Sequence, residues 1–293
     1  MSSKCPGHTV RPNDHPIKGT TVKKHLRREY QLLFAVASAL MVSGAAWAEG
    51  SGANVPNADT TGFAILSNAT NVTHWGLGGG AAFEGSPYKG YGTHITPVPF
   101  FFFDDKWIHA IGTTVDLNVG KWVGVAFTLR GNYAIADGYK GSDAPILNGM
   151  QNRSAAFWLG PAFKWETRYG DLSGDYLTGG NKGQKADIEF GKTLDYGRFS
   201  IEPHAGAAWL SGTYVDYYYG VRTSEARAGR PAYTGTATYK ESAGAKFDYR
   251  VTRQQLVSLD LSVAHLGSGI TDSPIVGRRF IPEAKIAYLY QFN

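Results

Sequence analysis

Cysteine is almost absent from this 293-residue chain, in which Cys5 is the only one. Long apolar runs are also missing: beyond residue 48 we find no stretch of about 18 apolar residues, which excludes helical membrane spans. Apolar stripes with the helical period are scarce as well. A chain without disulfides is compatible with a closed β-barrel, whose stability comes from backbone hydrogen bonding between strands.

An excess of basic charge is found only in the first 48 residues. These carry seven of the 29 Lys and Arg residues and two of the 24 Asp and Glu residues, which accounts for the whole formal net charge of +5. The rest of the chain is formally neutral and has no clustered basic stripe. We therefore expect no nucleic-acid partner.

The same 48 residues have the pattern of a secretory signal. A basic segment at 23–28 precedes a mostly apolar stretch at 32–46, and Ala46-Trp47-Ala48 supplies a cleavage pattern of small residues. A retained membrane anchor is the alternative, but the stretch is shorter than the roughly 20 residues that span a bilayer. We predict cleavage after Ala48, a periplasmic linker over 49–71 and a folded domain over 72–293.

The C-terminal end of the chain alternates between aromatic and mixed positions from Phe280 onward. Tyr288, Tyr290 and Phe292 share one face of a predicted strand, because successive side chains of a strand point to opposite sides. Transmembrane β-barrels of outer membranes usually finish on such a strand. We therefore predict that these three residues form a C-terminal insertion signal and that the protein lies in the outer membrane.

Alternating segments of about ten residues recur along the rest of the chain, as is typical of membrane strands. A soluble β-sandwich also alternates, but the export signal, the last strand and tryptophans near strand ends favour an interface with lipid. We predict an all-β, transmembrane, antiparallel up-and-down β-barrel. Its twelve expected strands are 72–84, 93–103, 107–118, 121–131, 154–167, 171–178, 184–194, 198–211, 213–220, 232–249, 255–265 and 279–292.

The predicted topology leaves one long segment in an unusual place. With both termini in the periplasm, residues 85–92, 221–231 and 266–278 become outer loops, and residues 132–153 become a periplasmic turn. Periplasmic turns are normally short. Either this turn is a specialised element, or one strand is miscounted and the barrel has ten strands. The least secure strand is 213–220, for which an aromatic loop is the alternative.

Several motifs resemble the MipA/OmpV family, and the similarity covers roughly residues 72–293. They are Pro87-Tyr88-Lys89-Gly90, Pro97-Val98-Pro99, Leu147-Asn148-Gly149-Met150-Gln151-Asn152-Arg153, Tyr217-Tyr218-Tyr219-Gly220-Val221, Glu225-Ala226-Arg227, Pro231-Ala232-Tyr233 and Thr271-Asp272-Ser273-Pro274-Ile275-Val276. The resemblance implies an outer-membrane scaffold that joins a lytic transglycosylase to a bifunctional murein synthase, with no catalytic residues. Family members usually end on the aromatic residue, so we expect Asn293 to affect insertion efficiency.

Two functions follow from these observations. A scaffold needs a periplasmic contact surface, and the turn at 132–153 offers Ile146, Leu147, Met150 and Arg153 as candidate docking residues, unless it is only a solvated loop. A small-solute channel is the alternative, because barrels wider than about eight strands can keep an open lumen. The candidate lumen residues are Asp116, Arg130, Lys164, Asp175, Glu189, Asp260 and Lys285, and mixed charge also suits a closed interior.

Enzymatic and cofactor chemistry are not expected. The chain has no G-x-S-x-G element, and Ser262 lies three positions from His265, which places the two on opposite faces of a strand. The histidines are isolated, and no segment has the ligand spacing of a calcium loop. The sequence therefore predicts a protein that is not an enzyme and that needs neither a cofactor nor a metal.

Overall fold

The structure, a computed structural model, describes residues 64–65 and 73–292. The predicted leader over 1–48, most of the linker over 49–71 and Asn293 lie outside the described residues. Cleavage after Ala48 and the effect of Asn293 therefore stay predictions. Of the linker, Ala64–Ile65 forms a short strand that pairs with Gly120 and Lys121 of the barrel.

The described chain from residue 74 to residue 292 forms a closed barrel of twelve antiparallel strands. Each strand pairs with its neighbours in sequence, and the last pairs with the first, so the predicted up-and-down barrel is confirmed. The strands are β1 (His74–Gly85), β2 (Thr93–Asp104), β3 (Ile108–Ile111), β4 (Thr114–Trp122), β5 (Val125–Ala134), β6 (Ala156–Thr167), β7 (Gly170–Thr178), β8 (Gln184–Gly191, resumed at Leu194–Tyr196), β9 (Phe199–Leu210), β10 (Thr238–Arg250), β11 (Gln255–Leu266) and β12 (Phe280–Phe292).

The outward rows of the strands are apolar and exposed. Leu77 and Phe83 of β1 and Ile286 and Tyr288 of β12 are examples, whereas the residues between them point into the lumen. Lipid takes the place of water around such a barrel, so apolar side chains are stable on its outside. No helix within the described residues is both long and apolar enough to cross a membrane.

The two ends of the barrel differ in the length of their connections. One end has only short turns, at 105–107, 123–124, 168–169, 197–198 and 251–254, and β1 starts and β12 ends there. The other end has the long connections 86–92, 135–155, 211–237 and 267–279. Because outer-membrane barrels have short periplasmic turns and longer extracellular loops, the short-turn end faces the periplasm.

Two predicted strands were wrong, although the predicted count of twelve is right. Residues 107–118 are not one strand, because the chain reverses at Gly112 with a φ of 57° and makes the hairpin of β3 and β4. Residues 213–220 form a helix instead of a strand. The two errors cancel in the count, but every strand between them runs opposite to the prediction. Residues 132–153 therefore emerge at the long-loop end, and their predicted periplasmic position was wrong.

The helix α1 (Gly212–Tyr219) has ordinary helix signals at both ends. The Ser211 hydroxyl accepts a hydrogen bond from the Tyr214 N–H at 3.2 Å, and Gly220 follows the last turn. Val215 and Tyr218, three positions apart, are its buried residues, which is a helical spacing. The many aromatic residues of this segment predict a strand, but Ser211 as the N-terminal capping residue and the three-residue spacing of Val215 and Tyr218 favour a helix.

A tight hairpin joins β4 to β5 through Val123 and Gly124. Both residues have positive φ angles, 48° and 80°, as a two-residue type I′ turn requires. Trp122 pairs with Val125 directly beside the turn, which fixes the register of both strands. Val123 and Gly124 continue the alternation of apolar and small residues, so the sequence pattern does not mark the turn. The predicted strand 121–131 therefore begins four residues before β5, which starts at Val125.

Candidate functional site

The long connections pack together and cover one end of the barrel. We call residues 86–92, 135–155, 211–237 and 267–279 the cap. Its core combines cap residues with inward-facing residues from the tops of β9, β11 and β12. The members include Tyr88, Leu147, Met150, Val215, Val221, Ile270 and Ile275 from the cap and Leu210, Leu266 and Ile281 from the strands. The cap is therefore packed into the mouth of the barrel.

The helix α1 contacts the opposite side of the mouth as well. Tyr218 is buried in a second apolar cluster with Trp158 of β6 and Leu177 of β7, both of which face inward. The rings of Trp158 and Tyr214 have centroids 5.6 Å apart. Because Val215 packs in the first cluster and Tyr218 in the second, α1 spans the mouth between two sides of the barrel. Trp158 is one of the tryptophans near strand ends for which the sequence predicts a position at the lipid interface; this prediction is wrong for Trp158, because its side chain is fully buried.

A buried ion pair joins two segments of the cap. Arg153 Nη2 lies 3.0 Å from Glu225 Oε2, and both side chains are almost completely buried. Arg153 also donates to the Tyr217 carbonyl at 2.7 Å, and its guanidinium lies 5.8 Å from the centroid of the Tyr139 ring. Gln151 N–H donates to the Glu225 carboxylate at 2.9 Å. Paired in this way, the two charges tolerate their burial.

A second arginine secures the same two segments. Arg230 donates to the carbonyls of Ile146 and Asn148, at 2.5 and 3.0 Å, and to the Glu225 carbonyl at 2.6 Å. It is fully buried, and its guanidinium satisfies carbonyls that the irregular loops would otherwise leave without a donor. Together, Arg153 and Arg230 fix residues 146–153 onto residues 217–230.

Burial and hydrogen-bond partners shift the pKa values of two residues of the cap, Glu225 and Tyr139. Although burial opposes ionisation of Glu225, hydrogen bonds from Gln151, Arg153 and Arg222 hold the pKa of its carboxyl below the ordinary value. Burial raises the pKa of the Tyr139 hydroxyl to about 12. At neutral pH the ion pair is therefore charged and the tyrosine is neutral.

The lumen beneath the cap contains ion pairs that cross between strands. Arg130 of β5 binds Asp116 at 2.6 Å and Asp175 at 2.9 Å. Elsewhere in the lumen, Lys246 of β10 pairs with Glu202 of β9 at 2.9 Å, and His204 of β9 lies 3.1 Å from Asp260 of β11. Within β12, Lys285 pairs with Glu283 at 3.0 Å. The interior is thus held by charge pairs, without a bound counter-ion being required for those groups.

The candidate lumen residues all face inward. Asp116, Asp175 and Glu189 are buried, and Lys164 lies nearer the short-turn end, where its ammonium contacts Glu166 at 3.0 Å. Exposure increases toward the periplasmic end, because the cap covers only the other one. Within the described residues, no group of three or more His, Cys, Asp or Glu side chains is arranged to hold a metal ion.

The candidate docking residues belong to the cap. Leu147, Met150 and Arg153 are buried, and Ile146 is half-buried against the same core. Their predicted role in docking stays a prediction, but their side chains are committed to packing inside the cap. The segment that carries them lies at the long-loop end of the barrel.

The three residues of the predicted insertion signal lie on the outward row of β12. Phe292 stacks on Trp75 of β1, with ring centroids 4.3 Å apart, and Tyr290 contacts Phe292 edge to face at 4.9 Å. Tyr288 is exposed on the same row. The aromatic end therefore lies where the last strand meets the first, at the periplasmic end. Its role in insertion stays a prediction.

Comparison with known proteins identifies the family of this barrel. The family model described as MltA-interacting protein MipA matches residues 77–292. The chain belongs to this family. The MipA-family match covers every strand of the barrel at least in part and all four cap segments, and the protein is an outer-membrane β-barrel.

The individual proteins that this MipA-family chain resembles share low sequence identity with it. The outer membrane protein Omp26La of Vibrio anguillarum is 30% identical over 165 residues, which are 54% of this chain and 64% of that protein, less than two thirds of its length. The MltA-interacting protein of Escherichia coli (strain K12) is 24% identical over 248 residues, 78% of this chain and 96% of that protein. The NanC porin structure aligns with a TM-score of 0.40 at 8% identity, over 73% of this chain and 98% of that one.

Most motifs that carry the MipA/OmpV resemblance meet in the cap. Lys89 N–H donates to the Ile275 carbonyl at 2.9 Å, and the Ser273 hydroxyl donates to the Tyr219 carbonyl at 2.6 Å. Tyr88 donates its hydroxyl to the Tyr218 carbonyl at 3.1 Å. Segments that are far apart in the sequence therefore form one packed unit.

The sequence predicts no site role for Glu225 or Arg230. Glu225 belongs to a motif of the family resemblance, whereas Arg230 belongs to none. A signal was present, since charged residues in a long loop rich in aromatic residues often need buried partners. The pairing itself was not readable, because Arg153 and Glu225 are 72 residues apart.

Proposed function

We propose that this protein is a non-enzymatic scaffold of the outer membrane that binds murein enzymes at the periplasmic end of its barrel. Membership of the MipA family carries this proposal, because a relative of nearly full-length coverage is named for its interaction with MltA. The partners would be a lytic transglycosylase and a bifunctional murein synthase. A capped, internally paired barrel suits this role, since it offers a rigid platform in the membrane.

The short turns are the surface that such partners would reach. Val123, Tyr169 and Tyr196 are exposed at or beside the turn tips, each by more than 60%. Exposed aromatic and apolar residues at turn tips fit a protein contact, because interfaces are enriched in aromatic side chains. The docking surface proposed here thus replaces the turn at 132–153.

A pull-down with two variants tests this proposal. In the first, V123N, Y169S and Y196S change the turn tips, and Asn suits the positive φ angle at position 123. In the second, residues 141–152 are deleted from the cap. We expect cross-linked murein enzymes to be captured by the wild type and by the deletion variant, but not by the turn-tip variant.

Each other outcome has a definite meaning. Capture lost on deletion and kept by the turn-tip variant would return the docking role to Ile146, Leu147, Met150 and Arg153. No capture by the correctly folded wild type would contradict the scaffold function itself. Folding of each variant is checked by its heat-dependent mobility in gels.

A small-solute channel is the alternative function. The observation in its favour is the charged lumen, in which Asp116, Asp175 and Glu189 are inward-facing acids. These acids favour a channel, because a lumen without a transport function could be filled with apolar side chains instead. The cap opposes conduction, because α1 and the apolar core occupy the mouth, and we therefore place the channel second.

A further inference from the structure

A separate feature lies outside the barrel, where β1 and β12 meet at the long-loop end. The connections 86–92 and 267–279 run side by side there: Lys89 N–H donates to the Ile275 carbonyl at 2.9 Å, and Gly277 N–H donates to the Pro87 carbonyl at 2.8 Å. This pairing continues the seam of the sheet into the cap. It holds the residues of both connections in fixed positions.

The two connections of this seam carry three exposed cations, Lys89, Arg278 and Arg279. A Cβ added to Gly277, directly before the two arginines, would lie 2.7 Å from Lys89 Cγ. Among the described residues, neither Arg278 nor Arg279 has a side-chain hydrogen bond or ion-pair partner. Lys89 Nζ makes one bond, to the Pro274 carbonyl at 2.8 Å, which leaves two of its protons available.

The guanidinium of Arg278 lies on the lipid-facing side of the barrel. Its Nη1 atom is 3.3 Å from where a Cβ on Gly85 would lie, and Gly85 is on the outward row of β1 with Phe83. Pro282 of β12 borders the same position, and Phe280 is 55% exposed just above it. The cation therefore lies at the upper edge of the apolar belt, at the depth of lipid headgroups.

We propose that Lys89, Arg278 and Arg279 form a binding site for the phosphate groups of a glycolipid in the outer leaflet. Arginine forms paired hydrogen bonds with phosphate, and two arginines with a lysine can neutralise a headgroup that carries two phosphates. The exposed Phe83, Pro282 and Phe280 lie where the acyl chains of the same molecule would begin. The long-loop end faces the outside of the cell, so the ligand comes from that leaflet. The site does not rest on the scaffold function.

The test uses the purified full barrel in detergent and synthetic lipid A with two phosphates, one or none. Retained lipid is measured by native mass spectrometry. We expect the wild type to retain the bisphosphorylated form and the K89Q/R278Q/R279Q variant to bind it roughly tenfold or more weakly, because at least two charged hydrogen bonds are lost. Dephosphorylated lipid A should bind weakly to both proteins.

A matched control removes the same charge from the other end of the barrel. In K192Q/R198Q/R253Q, three exposed cations of the periplasmic end are replaced, and we expect lipid A retention to stay at the wild-type level. The proposal is overturned if K89Q/R278Q/R279Q retains as much lipid A as the wild type, or if K192Q/R198Q/R253Q loses as much as K89Q/R278Q/R279Q is expected to lose. It is also overturned if dephosphorylated lipid A binds the wild type as well as the bisphosphorylated form does. Phosphatidylglycerol that competes as well as lipid A would also overturn it, because the site would then respond only to charge.

Discussion

Arg153 illustrates how much of the cap depends on one side chain. Its guanidinium pairs with Glu225 at 3.0 Å and also binds backbone carbonyls, including that of Tyr217 at 2.7 Å. Both side chains are almost completely buried. Removal of the arginine would leave the Glu225 carboxylate buried without its counter-charge, and breaking a buried pair in this way is more costly than the pair is worth.

We expect Arg153→Ala to destabilise the cap by about 3–5 kcal/mol, because a buried charge loses its partner. Amide hydrogen exchange of residues 139–153 and 217–230 measures this change locally, while the strands report on the barrel. Lys140→Ala is the control: it lies in the same connection with an exposed side chain, and a surface change should stay within about 0.5 kcal/mol. Unchanged exchange in the arginine variant would show that the pair does not hold the cap.

The glycines of β1 show how an element depends on the absence of side chains. A Cβ on the inward-facing Gly78 would lie 2.0 Å from the Tyr288 carbonyl oxygen of β12, which is too close for two non-bonded atoms. Gly76 and Gly80, also inward-facing, would approach the same strand to 2.6 and 2.2 Å. Gly79 points outward and would meet nothing within 4 Å. The inward glycines therefore let β1 approach the strand that closes the barrel.

We expect Gly78→Ala to lower the free energy of unfolding by about 1–3 kcal/mol, because the new methyl group forces the backbones of β1 and β12 apart. Urea unfolding in detergent micelles measures this change. Gly79→Ala adds the same methyl group to the same strand on its free side, and it should be close to neutral. Equal loss in both variants would point to an effect of strand flexibility and not to the close approach.

At the scale of the whole molecule, the barrel has one covered and one open end. The cap fills the mouth at the long-loop end, and its core includes Leu147 and Met150 from the connection after β5. At the periplasmic end only short turns surround the opening. A twelve-stranded barrel is wider than the roughly eight strands whose interior side chains fill, so its lumen can hold water as well as side chains. We therefore expect the cap to control conduction.

We expect the wild type to give no single-channel steps in planar bilayers, because the cap closes the mouth. Deletion of residues 141–152 removes Leu147 and Met150 from the core and should produce conductance steps. A shuffled segment of the same length in that place controls for the shorter loop and should also conduct. Clear steps from the wild type would favour the channel function, and silence from both variants would mean that α1 or the lumen itself still blocks conduction.

The sequence by itself determined the class of protein. The alternation of apolar residues, the aromatic end at Tyr288, Tyr290 and Phe292 and the family motifs predict an outer-membrane barrel, and the barrel, its location and the strand number are confirmed. The inward position of Asp116, Arg130 and the other lumen candidates also follows from alternation. These features are local, because a period of two residues places each side chain on one face.

Only the tertiary structure decided the direction of the middle strands and the arrangement of the cap. Alternation is the same whether a strand runs up or down, so it does not reveal the direction of a strand. Because the chain turns back at Gly112 and forms a helix at 212–219, all the strands between these two places run opposite to the predicted direction. The pairing of Arg153 with Glu225 joins distant parts of the chain, and no local pattern records it. The strand directions depend on where the chain turns back onto a neighbouring strand, and the ion pair depends on how the long connections pack in the mouth of the barrel.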